Sequence, residues 1–198
     1  MPPSTATAGI LLTGGRSRRL GVDKASLEVD GESLAARSAR RLLAVCAPVL
    51  EVGDGRSELP AVRESPPGRG PLAALVAGGA WLRDRGHHGP AILLAVDLPL
   101  VDEAFLRWLR DRAGAPTCVL QVDGRLQPVC ARYGPDALLA AESLVIGGVR
   151  ALHELFDVVE HEVVEPDEWG TVIAADRFVD VDTPNDAGRL GIALPGLA

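Results

Sequence analysis

Ala8-Gly-Ile-Leu-Leu-Thr-Gly-Gly-Arg-Ser-Arg-Arg-Leu-Gly-Val-Asp-Lys24 begins as an apolar run and turns into a glycine-rich basic loop. Ala8 to Thr13 carries no charge, the pattern of a buried strand. Gly14-Gly15 then breaks the strand into a tight turn. A loop that follows such a strand sits at the carboxyl edge of a sheet, where open α/β folds take their ligands. Gly14 and Gly15 let the backbone approach an anion closely and turn its N–H groups towards it. Arg16 and Arg19 offer planar forks suited to phosphate oxygens. Lys24 adds a compact mobile charge, and it is the only lysine in the chain. The Walker pattern fails, because five residues separate Gly15 from Gly21 and Lys24 precedes an alanine; G-x-G-x-x-G fails as well. The competing reading, a basic surface turn, explains neither the four cations nor the strand before them.

Working outward, Ala91-Ile-Leu-Leu-Ala-Val96 is a second uninterrupted apolar run, expected as a central parallel strand buried on both faces. Asp97 follows it, so its carboxylate points into the crevice beside the first loop. A carboxylate facing a polyphosphate would repel it, and a bridging Mg²⁺ resolves the conflict. The competing role, capping the next helix, suits Asp102 better. Ser33 to Val45 has helical spacing with Ser33 as N-cap, and Gly70 to Arg83 reads as a helix with Pro71 in its first turn. Val49–Val52 is expected as a strand, and Ser57–Arg69 as loop. Asp102–Arg112 is helical; Thr117–Gln121 and Gln127–Tyr133 are strands joined at Asp123-Gly124. Pro135–Val145 and Val149–Phe156 are expected as helices, and His161–Val164 and Phe178–Val181 as strands. Thr183-Pro184 starts a terminal helix. Alternating strands and helices predict an α/β sandwich on a mostly parallel sheet with an antiparallel addition. No linker divides the chain, so residues 1–198 are expected to form one domain, with a core from about 8 to 190 and short flexible ends.

Composition narrows the function. The net charge of −7 disfavours a general nucleic-acid binder. No apolar run approaches the roughly 20 residues a membrane span needs, and Met1–Ala8 lacks the features of a signal peptide. Cys46, Cys118 and Cys130 lie far apart, which argues against a disulfide or zinc framework and for a reducing cytoplasm. Adjacent His87 and His88 point apart, as in a surface turn, and Ser17 lacks a hydrolase setting. Cys46, Trp81 and Trp108 are expected to pack.

The first loop resembles the signature L-x-G-G-x-S-x-R-M-G-x-D-K of the molybdenum cofactor guanylyltransferase family, with Thr13 for the usual alanine and Leu20 for methionine. Gly70-Pro-Leu-Ala-Ala74 is similar to the family's G-P-L-A-G. Arg125-Leu-Gln-Pro-Val-Cys-Ala-Arg-Tyr133 is similar to R-x-Q-P-L-x-A-L-Y, with Arg132 unusual. Phe178-Val-Asp-Val-Asp-Thr-Pro-Asn-Asp186 is similar to the closing F-x-[DN]-[VI]-[DN]-T-P-x-[DE]. The resemblance runs from Gly9 to about Leu190.

It implies a Rossmann-like three-layer sandwich of the nucleotide-diphospho-sugar transferase type, and an enzyme that moves GMP from GTP to the terminal phosphate of molybdopterin, releasing pyrophosphate. Leu12, Thr13, Gly14, Gly15, Lys24, Glu64 and Asp97 would then contact nucleotide, with Lys24, Arg16, Arg19 and Asp97 carrying the chemistry and Asp97 holding Mg²⁺. Gln127, Pro128 and Asp182 would line the acceptor side. The resemblance also adds molybdoenzyme maturation proteins as candidate partners. Two departures concern the base. Gly53-Asp54 stands where the family often has asparagine, and either Glu64 or Ser65 matches its acidic nucleoside contact. A CTP-using or other-acceptor sibling and a non-catalytic nucleotide-binding protein are the alternatives; intact Lys24 and Asp97 argue against the latter.

Overall fold

A computed structural model describes residues 6–14, 22–192 and 194. The elements in chain order are β1 (Ala8–Leu12), β2 (Glu28–Val29), β3 (Glu32–Ser33), α1 (Leu34–Leu43), β4 (Val49–Val52), β5 (Ala61–Val62), α2 (Pro71–Arg83) and β6 (Ala91–Ala95). They continue with α3 (Glu103–Asp111), β7 (Cys118–Val122), β8 (Arg125–Tyr133), α4 (Pro135–Ile146), β9 (Glu162–Val164), α5 (Pro166–Trp169) and α6 (Pro184–Arg189). Seven strands form one sheet in the order β5-β4-β1-β6-β8-β7-β9, and β2 and β3 make a separate small hairpin. Within the large sheet β8 alone runs against the rest, pairing antiparallel with β6 and β7. The expected α/β sandwich and its antiparallel addition are both present.

Strand alternation divides the core into two layers. Ile10 and Leu12 of β1 and Leu93 of β6 face α2 and α4, while Leu11, Ile92 and Leu94 face α1 and α3. Both faces of these strands are therefore covered, and every residue of β1 and β6 is buried. Helix starts follow the local chemistry. Ser33 Oγ accepts from Ala36 N–H at 3.1 Å, and Asp102 Oδ1 accepts from Phe105 N–H at 2.9 Å. Gly78 lets α2 press onto β1: a Cβ there would lie 2.9 Å from Ile10 Cδ1.

The topology sets the site. The chain leaves β1 for β4 and β5 on one side, then returns to β6 on the other. The β1–β6 seam is thus the point where strand order reverses, and a crevice opens at its carboxyl end. Leu12 C=O accepts from Val96 N–H at 2.9 Å, fixing the two strand ends side by side.

Several local expectations are corrected. Ser57–Arg69 is not all loop, because Ala61–Val62 pairs with β4 as the edge strand. Residues 178–181 do not form a strand. Ala175–Phe178 is a 3₁₀ turn, and Val181 N–H instead donates to Asp97 C=O at 3.0 Å. The apolar spacing there reflects packing: Phe178 meets Phe105 and Trp169 edge-on. The segment expected as helix at Val149–Phe156 is a 3₁₀ turn at Leu152–Asp157. His87 is buried rather than on a surface turn, while His88 is exposed. All three cysteines are free and buried.

Candidate active site

The crevice at the β1–β6 seam gathers three charged residues from distant parts of the chain. Lys24 opens a 3₁₀ turn, Lys24–Ser26, capped by Asp23, whose Oδ1 accepts from Ala25 N–H at 3.1 Å. Asp97 lies just past the end of β6, after Val96. Asp182 arrives with the C-terminal segment, tied down by the Val181–Asp97 backbone bond. Lys24 Nζ donates to Asp97 Oδ2 at 3.1 Å and also to Asp182 Oδ1.

Exposure rises along this group. The Lys24 side chain is 15% exposed, that of Asp97 27% and that of Asp182 43%, so the carboxylates face outward into the crevice. Burial alone would lower the Lys24 pKa. The hydrogen bond to Asp182 and the nearby Asp97 charge outweigh it, and the net shift is upward. Lys24 is therefore a fixed positive charge at neutral pH. Asp180 behaves in the opposite way: burial first, and then the charge of Asp182, raise its carboxyl above the ordinary value. Thr183 caps α6 in a reciprocal box with Asp186, leaving the Asp182 side chain for Lys24.

The remaining expected residues are placed as follows. Leu12 and Thr13 are buried at the end of β1, and Gly14 is exposed at the mouth. The Thr13 hydroxyl is engaged inward, donating to Glu51 Oε1 at 2.5 Å. Gly15, Arg16 and Arg19 lie outside the described residues. Gln127 and Pro128 stand near the start of β8. Because β8 is antiparallel, with Leu94 opposite Cys130, they reach the same sheet edge as Asp97. Tyr133 Oη holds Pro128 C=O at 2.6 Å. Glu64 follows β5, two strands from β1, and is not drawn into the Lys24 group. Its Oε1 accepts from Gly68 N–H at 2.6 Å, while Oε2 is buried with no hydrogen-bond partner among the described residues.

Four further residues at or beside this edge escaped the sequence reading: Asp23, Glu51, Arg56 and Asp180. Glu51 left one signal, a carboxylate within the apolar strand Val-Leu-Glu-Val. Such a charge must find donors inside the fold.

Gly14, a fixed ammonium and two convergent carboxylates thus meet at the switch point of a nucleotidyltransferase-type α/β fold. Residues 9–168 match the model of the MobA-like NTP transferase domain, and the chain belongs to that family of nucleotidyltransferase enzymes. A probable molybdenum cofactor guanylyltransferase of Opitutus terrae is 36% identical over 165 residues, covering 75% of this chain and 77% of that protein. One of the same name from Natronomonas pharaonis is 31% identical over 196 residues, covering 91% and 95%. In three dimensions the chain is similar to molybdopterin-guanine dinucleotide biosynthesis protein A of Archaeoglobus fulgidus. The TM-score is 0.77 at 21% identity, over 93% of this chain and 96% of that one.

Proposed function

We propose that this enzyme transfers GMP from GTP to the terminal phosphate of molybdopterin. The observation that carries the reading is the convergence of Lys24, Asp97 and Asp182 on one point of the crevice, from three separate segments of the chain. The names of the sequence relatives supply the base and the acceptor.

A phosphate oxygen of the acceptor attacks the α-phosphorus of GTP. The bond from that phosphorus to the bridging oxygen breaks, and pyrophosphate leaves with the electron pair. The attacking phosphate is already ionised, so no strong general base is required. The protein's work is alignment and charge neutralisation. Lys24, with Arg16 and Arg19, holds the triphosphate, and Gly14 and Gly15, lacking side chains, let its oxygens come close. Gln127 and Pro128 line the side from which the acceptor enters.

The donor set fits Mg²⁺. Asp97 and Asp182 are hard oxygen donors that converge within reach of one ammonium. Asp97, with Asp182 beside it, would hold the ion. When bound, Mg²⁺ supplies charge neutralisation to the polyphosphate.

The test is a thermal-shift comparison of the four NTPs with Mg²⁺, followed by pyrophosphate release with molybdopterin as acceptor. GTP is expected to raise Tm most, because a ligand bound by the native state alone stabilises it by mass action. A larger shift with CTP would move the base assignment. No acceptor-dependent pyrophosphate in the presence of GTP would overturn the reaction.

A further inference from the structure

Glu51 has no solvent exposure and sits inside β4, yet its carboxyl is held below the ordinary glutamate value. Five neutral donors make this possible. Oε1 accepts from Thr13 Oγ1 at 2.5 Å and from the N–H groups of Gly55 and Arg56, both at 2.8 Å. Oε2 accepts from Ser57 N–H at 2.8 Å and Ser57 Oγ at 2.6 Å. Burial alone would raise the carboxyl; the bonds from Ser57 and Thr13 and from the Arg56 and Ser57 backbone outweigh it, and the net shift is downward. A buried charge this well satisfied organises whatever donates to it. Here the donors are the end of β1 and the whole turn Gly55–Ser57.

That turn also reaches the other end of the phosphate loop. Arg56 Nε pairs with Asp23 Oδ2 at 2.7 Å, and Asp23 is the cap of the Lys24 turn. One carboxylate therefore connects Thr13, just before the glycine turn, to Asp23, just before Lys24. Gly53 allows the close approach: a Cβ there would lie 2.0 Å from Thr13 Oγ1. The Thr13 hydroxyl and the missing side chain at 53 thus form a matched pair.

We propose that Glu51 is a positioning residue: through the Gly55–Ser57 turn, Arg56 and Asp23, it sets where the Lys24 turn stands relative to the end of β1. The role in nucleotide binding rests on the proposed function; the mechanical link does not, and the two are tested separately. Arg56 is half exposed, so Arg56→Gln cuts the link without touching the core. Asp23→Asn keeps the oxygen that caps Ala25 and loses the charge pair.

In nucleotide-free protein, amide exchange at Ala25–Leu27 is expected to quicken about fivefold or more in Arg56→Gln, with β7 and β8 unchanged, because a local opening becomes easier. Glu51→Gln, where it folds, should do the same, since its amide N–H groups face other donors. Wild-type exchange in both Arg56→Gln and Asp23→Asn overturns the link. For nucleotide, Arg56→Gln is expected to raise KM for GTP about 5- to 20-fold with kcat nearly unchanged, because the binding-competent arrangement is less populated. The double variant Asp23→Asn/Arg56→Gln should be no worse than the poorer single. Additive losses would mean Arg56 touches the nucleotide directly, and an unchanged KM would mean the brace only holds the fold; each outcome overturns the positioning role. A wild-type protein that binds no NTP defeats the proposed function and the nucleotide half of this inference, and the exchange result still decides the link.

Discussion

Lys24 and Arg132 are both cations withdrawn from solvent, and they are used in opposite ways. Arg132 lies in β8 between two other strands and is 5% exposed. Its guanidinium donates only to backbone: Pro116 C=O at 3.2 Å, Leu109 at 3.0 Å, Arg110 at 2.8 Å, and Arg112 and Ala115 at 2.9 Å each. These carbonyls close the end of α3 and the connection to β7, where helix C-termini leave acceptors unpaired. Lys24 instead bonds to two carboxylates that are themselves partly exposed and lie on separate segments. A charge saturated by backbone has no capacity left for a ligand. One held by side chains at a crevice can exchange partners when a polyphosphate arrives. The contrast separates a structural cation from the one proposed to hold the nucleotide, although both are rare positions for a positive charge.

The comparison breaks most severely at Asp97. Asp97→Ala is expected to remain folded and to lose turnover about a thousandfold or more at ordinary Mg²⁺, several kcal/mol of transition-state stabilisation. Circular dichroism and pyrophosphate release measure the two halves; a folded variant with near-normal rate removes Asp97 from the chemistry.

Arg132→Leu should show the reverse pattern. Stability is expected to fall by about 3 kcal/mol, since several buried carbonyls lose their donor together. In the folded fraction, kcat/KM should stay within about twofold of wild type. Urea unfolding and steady-state kinetics check this, and a stable but inactive variant would place Arg132 with Lys24 after all.

Lys24→Arg sharpens the contrast, because it keeps the charge and changes only the shape. Activity is expected to fall about ten- to a hundredfold, as a wide planar guanidinium cannot occupy the place of a compact ammonium between two carboxylates. The wild-type protein offers a direct check. With one lysine in the chain, an acylating reagent has Lys24 and the α-amino group as its amine targets. Saturating GTP–Mg²⁺ should shield Lys24 and leave the other reactive. Equal labelling with and without nucleotide would show that Lys24 does not meet the phosphates.

The smallest effect concerns pH. Glu51 has a folded-state pKa below its unfolded value. Its contribution is therefore fully present above the ordinary glutamate value of about 4.3, and is lost as pH falls through the lower folded value. The stability gap between wild type and Glu51→Gln should be constant near neutrality and shrink in this acid range. Denaturation curves from pH 7 downward report it; a constant gap would mean that folding does not shift the Glu51 carboxyl, and a gap that widens in acid would mean that folding raises it.

Much of this molecule was readable from short stretches. Two charge-free runs gave β1 and β6, and the residue after each gave the site's address. Ser33, Asp102 and Thr183 began helices where their side chains predicted. These signals are legible because periodicity and capping act within a few residues of one another. The apolar spacing at 178–181 misled for the complementary reason: it records burial and does not distinguish a strand from an extended segment packed against a neighbour.

By itself, then, the sequence determined the α/β class, the glycine loop and the candidacy of Lys24 and Asp97. Only the tertiary structure decided that Asp182 bonds to Lys24 from 158 residues away. The same holds for Glu51, whose donors come from β1 and from the turn after β4, and for Arg132, whose five acceptors belong to the end of α3 and the loop beyond it. Hydrogen-bond partners across a fold leave no periodic trace in the chain. They are selected when strands align and loops close, and a buried charge accepts whichever donors that closure brings within about 3 Å.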